Sequence, residues 1–136
     1  MIRGMWLSAA ALMMLAVPAI AAAPEDACMQ PAMPKMPDGK TAPAKDIIAA
    51  AAAVKAFVAE SDAYQICLKQ QVDQIDQMEA KAKTDKTAAL DPKVKAAMDK
   101  SKAEMTTKGD QNQANKETLG AMYSATAAAY RQAHPK

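Results

Sequence analysis

From Asp46 to Lys83 the apolar positions return every three or four residues, through Ile47, Val54, Phe57 or Val58, Ser61, Tyr64, Leu68, Val72, Ile75 and Met78. That spacing is one stripe of an amphipathic helix, and neither glycine nor proline interrupts it. At 1.5 Å per residue such a helix is nearly 60 Å long, on the order of ten turns. Its apolar stripe needs a covering partner along that length. A second helical pattern starts at Asp91-Pro92, where an aspartate can cap free N–H groups and proline has no N–H to lose. Val94, Met98, Ser101, Met105, Leu119, Met122 or Tyr123, Thr126 and Tyr130 carry it on, with a weak middle at Gly109.

The pattern therefore predicts an all-α fold, a long antiparallel helical hairpin. Its helices cover residues 46–83 and 92–133, joined by a connection at 84–91 short enough to force antiparallel neighbours. Residues 134–136 remain as a tail. Folding the chain about residue 88 brings Ala49 to Ala53 opposite Ala125 to Ala129, where small side chains allow close approach of the backbones. The same folding sets the polar stretch from Thr106 to Thr118 against Phe57, Tyr64 and Leu68. Another segment has to cover those three.

The region 22–45 supplies it. Pro31, Pro34 and Pro37 recur every third residue, the period of a polyproline II rod, and Pro37-Asp38-Gly39 reads as a turn that sends the chain back into the first helix. The 11 steps from Cys28 to Gly39 extend roughly 34 Å as such a rod. The 21 steps from Asp46 to Cys67 rise roughly 32 Å as helix. An arm laid antiparallel on the first helix thus brings Cys28 beside Cys67 and predicts a disulfide between them. Its prolines, with Met33 or Met36, are expected to fill the space between Phe57 and Tyr64.

Cys28, the spaced prolines ending in Pro37-Asp38-Gly39, the run Ala53-Val54-Lys55-Ala56-Phe57-Val58 and the run Tyr64-Gln65-Ile66-Cys67-Leu68 together resemble a group of small secreted bacterial proteins of unknown function. The resemblance covers about residues 28–69. It supports the arm and the disulfide and implies no activity.

The first residues place the whole in a compartment. Arg3, an apolar run from Met5 to Val17 and the small residues from Pro18 to Ala23 have the three parts of a secretory signal peptide. The apolar run is too short to span a bilayer, so residues 1–21 are expected to be removed, with cleavage after Ala21 or Ala22, rather than kept as a membrane anchor. Glu25 and Asp26 before Cys28 speak against lipidation of that cysteine. The expected product is a secreted, soluble protein, in the bacterial periplasm, with no membrane association after cleavage.

Composition narrows the chemistry further. The formal charge is +2, with acidic and basic residues mixed along the chain, so no nucleic-acid partner is expected. Alanine makes up much of the 51% apolar content, and the chain has one Phe and three Tyr; it can bury a thin seam more readily than a deep core. The only histidine is His134 near the C-terminus, which leaves a serine or cysteine nucleophile without its organising base. Asp73, Asp76 and Glu79 share a helix face but read as a solvated surface, so no catalytic residues and no cofactor are expected. One sharper alternative exists. Met29, Met33 and Met36 form an exported cluster of soft thioethers suited to Cu(I), against the plainer reading that methionine fills irregular apolar gaps. Finally, an apolar stripe longer than one partner can cover suits a protein partner or a homo-oligomer.

Overall fold

The computed structural model describes residues 28–85 and 90–135. The expected signal peptide at 1–21 and the start of the arm at 22–27 lie outside the described residues. Two helices, α1 from Ala44 to Thr84 and α2 from Pro92 to Ala133, pack along each other as a hairpin. Strands are absent among the described residues.

Local chemistry sets the ends. α1 begins two residues earlier than the expected Asp46, because Pro43 itself takes the capping position and its carbonyl accepts from the N–H groups of Asp46 and Ile47. At its other end Thr84 Oγ1 donates to the Lys81 carbonyl at 2.8 Å, while Lys81 and Lys83 place positive charge where the helix dipole favours it. At the start of α2 the Asp91 carboxylate accepts from the Lys93 N–H at 2.7 Å, with Pro92 in the first turn.

Cross-helix hydrogen bonds give the register. Lys102 reaches Glu79, Gln65 donates to the Gly109 carbonyl, Asn112 donates to the Ser61 carbonyl and Lys116 donates to Asp62. The midpoints of these pairs fall between residues 86 and 91, around the expected fold at 88. Along α2 the buried positions are Met98, Met105, Asn112 and Leu119, a seven-residue repeat that keeps one seam facing α1. On α1 they are Ala50, Phe57, Ser61, Tyr64, Leu68 and Ile75. Between the two side chains the periodicity allowed, Phe57 is buried and Val58 lies at the edge.

The core is uneven. Toward the connection, Tyr64, Leu68, Ile75, Met98 and Met105 form one cluster, flanked by Cys28, Val72, Leu90 and Val94. Toward the open end the helices bury Ala50, Phe57 and Leu119, and residues 28–43 form the third element.

The arm groove and the candidate interaction surface

Cys28 and Cys67 are bonded, with their Cα atoms 5.8 Å apart. The bond seats the arm at the level of Tyr64 and Leu68, and from there it runs back along α1. Burial along it follows the prolines: Pro31, Pro34 and Pro37 are half-buried, while Ala32, Met33 and Lys35 are exposed and Met36, next to the turn, is half-buried as well. One edge of the rod therefore faces the hairpin, in the register that the proline spacing predicts.

At its far end the arm turns on Asp38. The Asp38 carboxylate accepts from the Lys40 N–H at 2.9 Å, and its carbonyl accepts from Ala42 at 2.9 Å. This turn rests on α2 as well as leading into α1, a contact that matching the arm to α1 alone did not reveal. Gly39 is buried so closely against α2 that a Cβ at that position would collide with the Thr126 carbonyl and press on Ala129. Glycine is required here by close approach, not by backbone angles, since no glycine among the described residues has positive φ. Thr126 Oγ1 donates to the Pro37 carbonyl at 3.4 Å. The arm is thus held at both ends, lies in the groove between the helices, and runs parallel to α2.

Between those ends is a polar waist. Asn112 and Ser61 are both fully buried, and Asn112 Nδ2 donates to the Ser61 carbonyl at 3.0 Å. Asn112 Oδ1 and Ser61 Oγ are buried without a hydrogen-bond partner, a desolvation cost that apolar side chains would not incur. Being polar, Asn112 stands outside the apolar pattern of α2. The signal was present in its spacing, seven residues after Met105 and seven before Leu119. Beside it Lys116 donates to Asp62 at 2.7 Å and to Gln65 at 3.4 Å.

The carboxylates considered for acid-base work are engaged with lysines. Asp73 pairs with Lys69 at 3.0 Å, and Asp76 and Glu79 pair with Lys102 at 3.2 and 3.1 Å. The hydrogen bonds to Glu79, and next to Asp76, hold the Lys102 ammonium above the ordinary lysine pKa. Across the same patch a hydrogen bond from Lys95 holds Asp99 below the usual carboxylate value. His134 stacks on Tyr130 with ring centroids 4.4 Å apart, at the last turn of α2. Its Nδ1 lies 3.1 Å from the Tyr130 carbonyl. A cavity of about 10 Å³ lined by Leu68, Gln71, Ser101, Glu104, Met105 and Lys108 has room for a single water at most. Among the described residues no group of three or more His, Cys, Asp or Glu converges as a metal site, and no helix is long and apolar enough to cross a membrane.

Among the described residues, neither α2 nor the arm covers the outer face of α1. Ile48 and Ile66 are 71% and 59% exposed and stand eighteen residues apart, which is five whole turns and hence the same face. Ala52, Ala56, Ala59 and Ala63 lie exposed between them. Of the arm methionines, Met36 is half-buried, Met33 is 37% exposed and Met29 is 87% exposed. Met78, placed in the apolar stripe by periodicity, also stands exposed. Compared with family models, curated proteins and solved structures, the chain matches none.

Proposed function

We propose that the protein is a secreted, periplasmic helical module that acts as a structural or protein-interaction element and not as an enzyme. The observation carrying this reading is the outer face of α1, where Ile48 and Ile66 bracket an alanine stripe on a helix that the disulfide and the arm hold in place. Isolated surface apolar residues are common. A straight row on one rigid helix suits the packing of another helix, from a partner protein or a second copy, because small residues allow two backbones to approach closely. Export through a cleaved signal peptide agrees with the disulfide, which persists in oxidising compartments.

The test uses the mature, disulfide-bonded protein. Sedimentation equilibrium over a wide concentration range is expected to show association that Ile48→Lys and Ile66→Lys abolish while circular dichroism is unchanged. If the wild type stays monomeric, crosslinking in the cell envelope is expected to capture one discrete partner, again lost in the lysine variants. A monomer whose crosslinking pattern is the same with and without those substitutions sinks the proposal.

A further inference from the structure

The chain's soft donors are restricted. Both cysteines are consumed by the disulfide, and the single histidine lies at the end of α2, which leaves thioethers. The sequence groups Met29 with Met33 and Met36. The fold regroups them.

The arm runs parallel to α2 and antiparallel to α1, as the Cys28–Cys67 bond and the seat of Gly39 on Thr126 require. At the helical repeat, Cys67 and Asp62 fall on opposite flanks of the α1 seam marked by Ser61 and Leu68, so the arm lies on the side of the hairpin opposite the Asp62–Lys116 pair. A polyproline II rod is left-handed and turns a third of a circle per residue. With Pro31, Pro34 and Pro37 facing the seam, that handedness puts the edge of Gln30, Met33 and Met36 on the α2 side. The edge of Met29, Ala32 and Lys35 falls on the α1 side. Burial agrees: Met36 is half-buried and Met33 is 37% exposed, against 87% for Met29.

On α2, Met122 lies one turn before Thr126, and its direction around the helix falls between those of Thr126 and Ala129, the two residues that carry Gly39. Met122 therefore stands on the arm-bearing face, 42% exposed. Taking the Thr126–Pro37 bond as a common level, Met122 sits about 6 Å below it at the helical rise. Met36 and Met33 sit about 3 and about 12 Å below it at the rise of the rod. Met122 thus falls between the two arm methionines in height, on the flank toward which both project.

We propose that Met33, Met36 and Met122 form a solvent-accessible thioether site for Cu(I) in the notch between the arm and α2. Soft thioethers select this ion over Zn²⁺ or Ca²⁺, and long unbranched methionine side chains can close the remaining few ångströms. Lys35 is on the far edge of the rod, so its charge does not point into the notch. The site depends on the arm being seated and is independent of what the outer face of α1 binds.

Anaerobic titration of the disulfide-bonded protein with Cu(I), against bicinchoninate as competing chelator, tests it. The wild type is expected to withdraw about one equivalent of copper. Binding should weaken by roughly tenfold or more in Met122→Leu and in the Met33→Leu, Met36→Leu double variant, and remain at the wild-type value in Met29→Leu. Methyl-labelled wild-type protein gives a readout that does not depend on the variants folding: Cu(I) is expected to shift the Met33, Met36 and Met122 methyl resonances and leave that of Met29 in place. Failure of the wild type to withdraw copper overturns the site. So does unchanged affinity in Met122→Leu, or an equal response of Met29 in either measurement.

Discussion

The two ends of the hairpin solve the same shortage differently. Toward the connection, α1 and α2 bury Tyr64, Leu68, Ile75, Met98 and Met105 against each other, with Cys28 of the arm packed at the cluster's edge. Toward the open end α2 offers Asn112, Leu119 and an alanine-rich last stretch, and a third element, the arm, lies in the groove. One half closes mainly between the two helices, whereas the other buries Phe57 and Leu119 among alanines and adds the arm as an extra layer, its turn seated against Thr126 and Ala129. The contrast teaches that a chain poor in large apolar groups can still form a long hairpin, provided the thin half is bound from outside.

The largest expected effect comes from cutting that binding. Replacing Cys28 and Cys67 by serine removes a crosslink that closes a loop of about 40 residues, worth about 4 kcal/mol by the chain-entropy argument. Urea unfolding should show the loss, and limited proteolysis should cut the arm while the connection-end cluster stays protected. Equal protease sensitivity at the two ends would contradict the comparison. Leu119→Ala comes next. Leu119 is fully buried, and the substitution is expected to cost about 3 kcal/mol, read from the denaturation midpoint at unchanged slope.

Gly39→Val tests the seat of the turn. The added side chain meets the Thr126 backbone and Ala129, and the expected cost is about 2 kcal/mol. Amide exchange should quicken near Thr126 and stay unchanged around Ile75.

Asn112→Leu sharpens the comparison in the opposite direction. It replaces a half-satisfied buried amide by an apolar group, so stability is expected to change by about 1 kcal/mol or less, or to rise. Polar residues at such seam positions specify register and oligomeric state. The variant should therefore run as a mixture of species in size-exclusion chromatography where the wild type runs as one; a single species would show that Asn112 has no such part.

The smallest effect belongs to the Lys102 cluster. Its partners raise the folded-state pKa of Lys102, so the stabilisation is complete below the ordinary lysine pKa and disappears as pH rises through the raised value. Lys102→Met should flatten the alkaline limb of a stability-pH curve and change little at neutral pH, consistent with the modest worth of exposed ion pairs.

Much of this fold could be read from the chain. Heptad-like spacing located both helices, and uninterrupted propensity from Asp46 to Lys83 made the first one long. Two rise-per-residue values sufficed to pair Cys28 with Cys67. What escaped depended on relations that the spacing of apolar residues does not encode. Asn112 belongs to the seam because a carbonyl of α1 meets its amide, which hydrophobicity cannot signal. Gly39 rests on α2, although its distance from the cysteines concerns α1 alone. Met29 parts from Met33 and Met36 through the handedness of the rod and the side of the hairpin on which it lies, and only the folded arrangement decides that side.

The arm's two attachments also differ in when they can form. Cys28 and Cys67 are separated by 39 residues and both precede α2, so they can meet before α2 has docked. The turn at Gly39 needs Thr126 and Ala129, close to the end of the chain, and cannot seat until α2 has docked. An order of assembly is thereby expected: the covalent tie can form first and limit where the arm wanders, and docking of the last helical turns locks it. A pulse of thiol-blocking reagent during refolding would record that sequence, with the disulfide complete before amides around Thr126 gain protection.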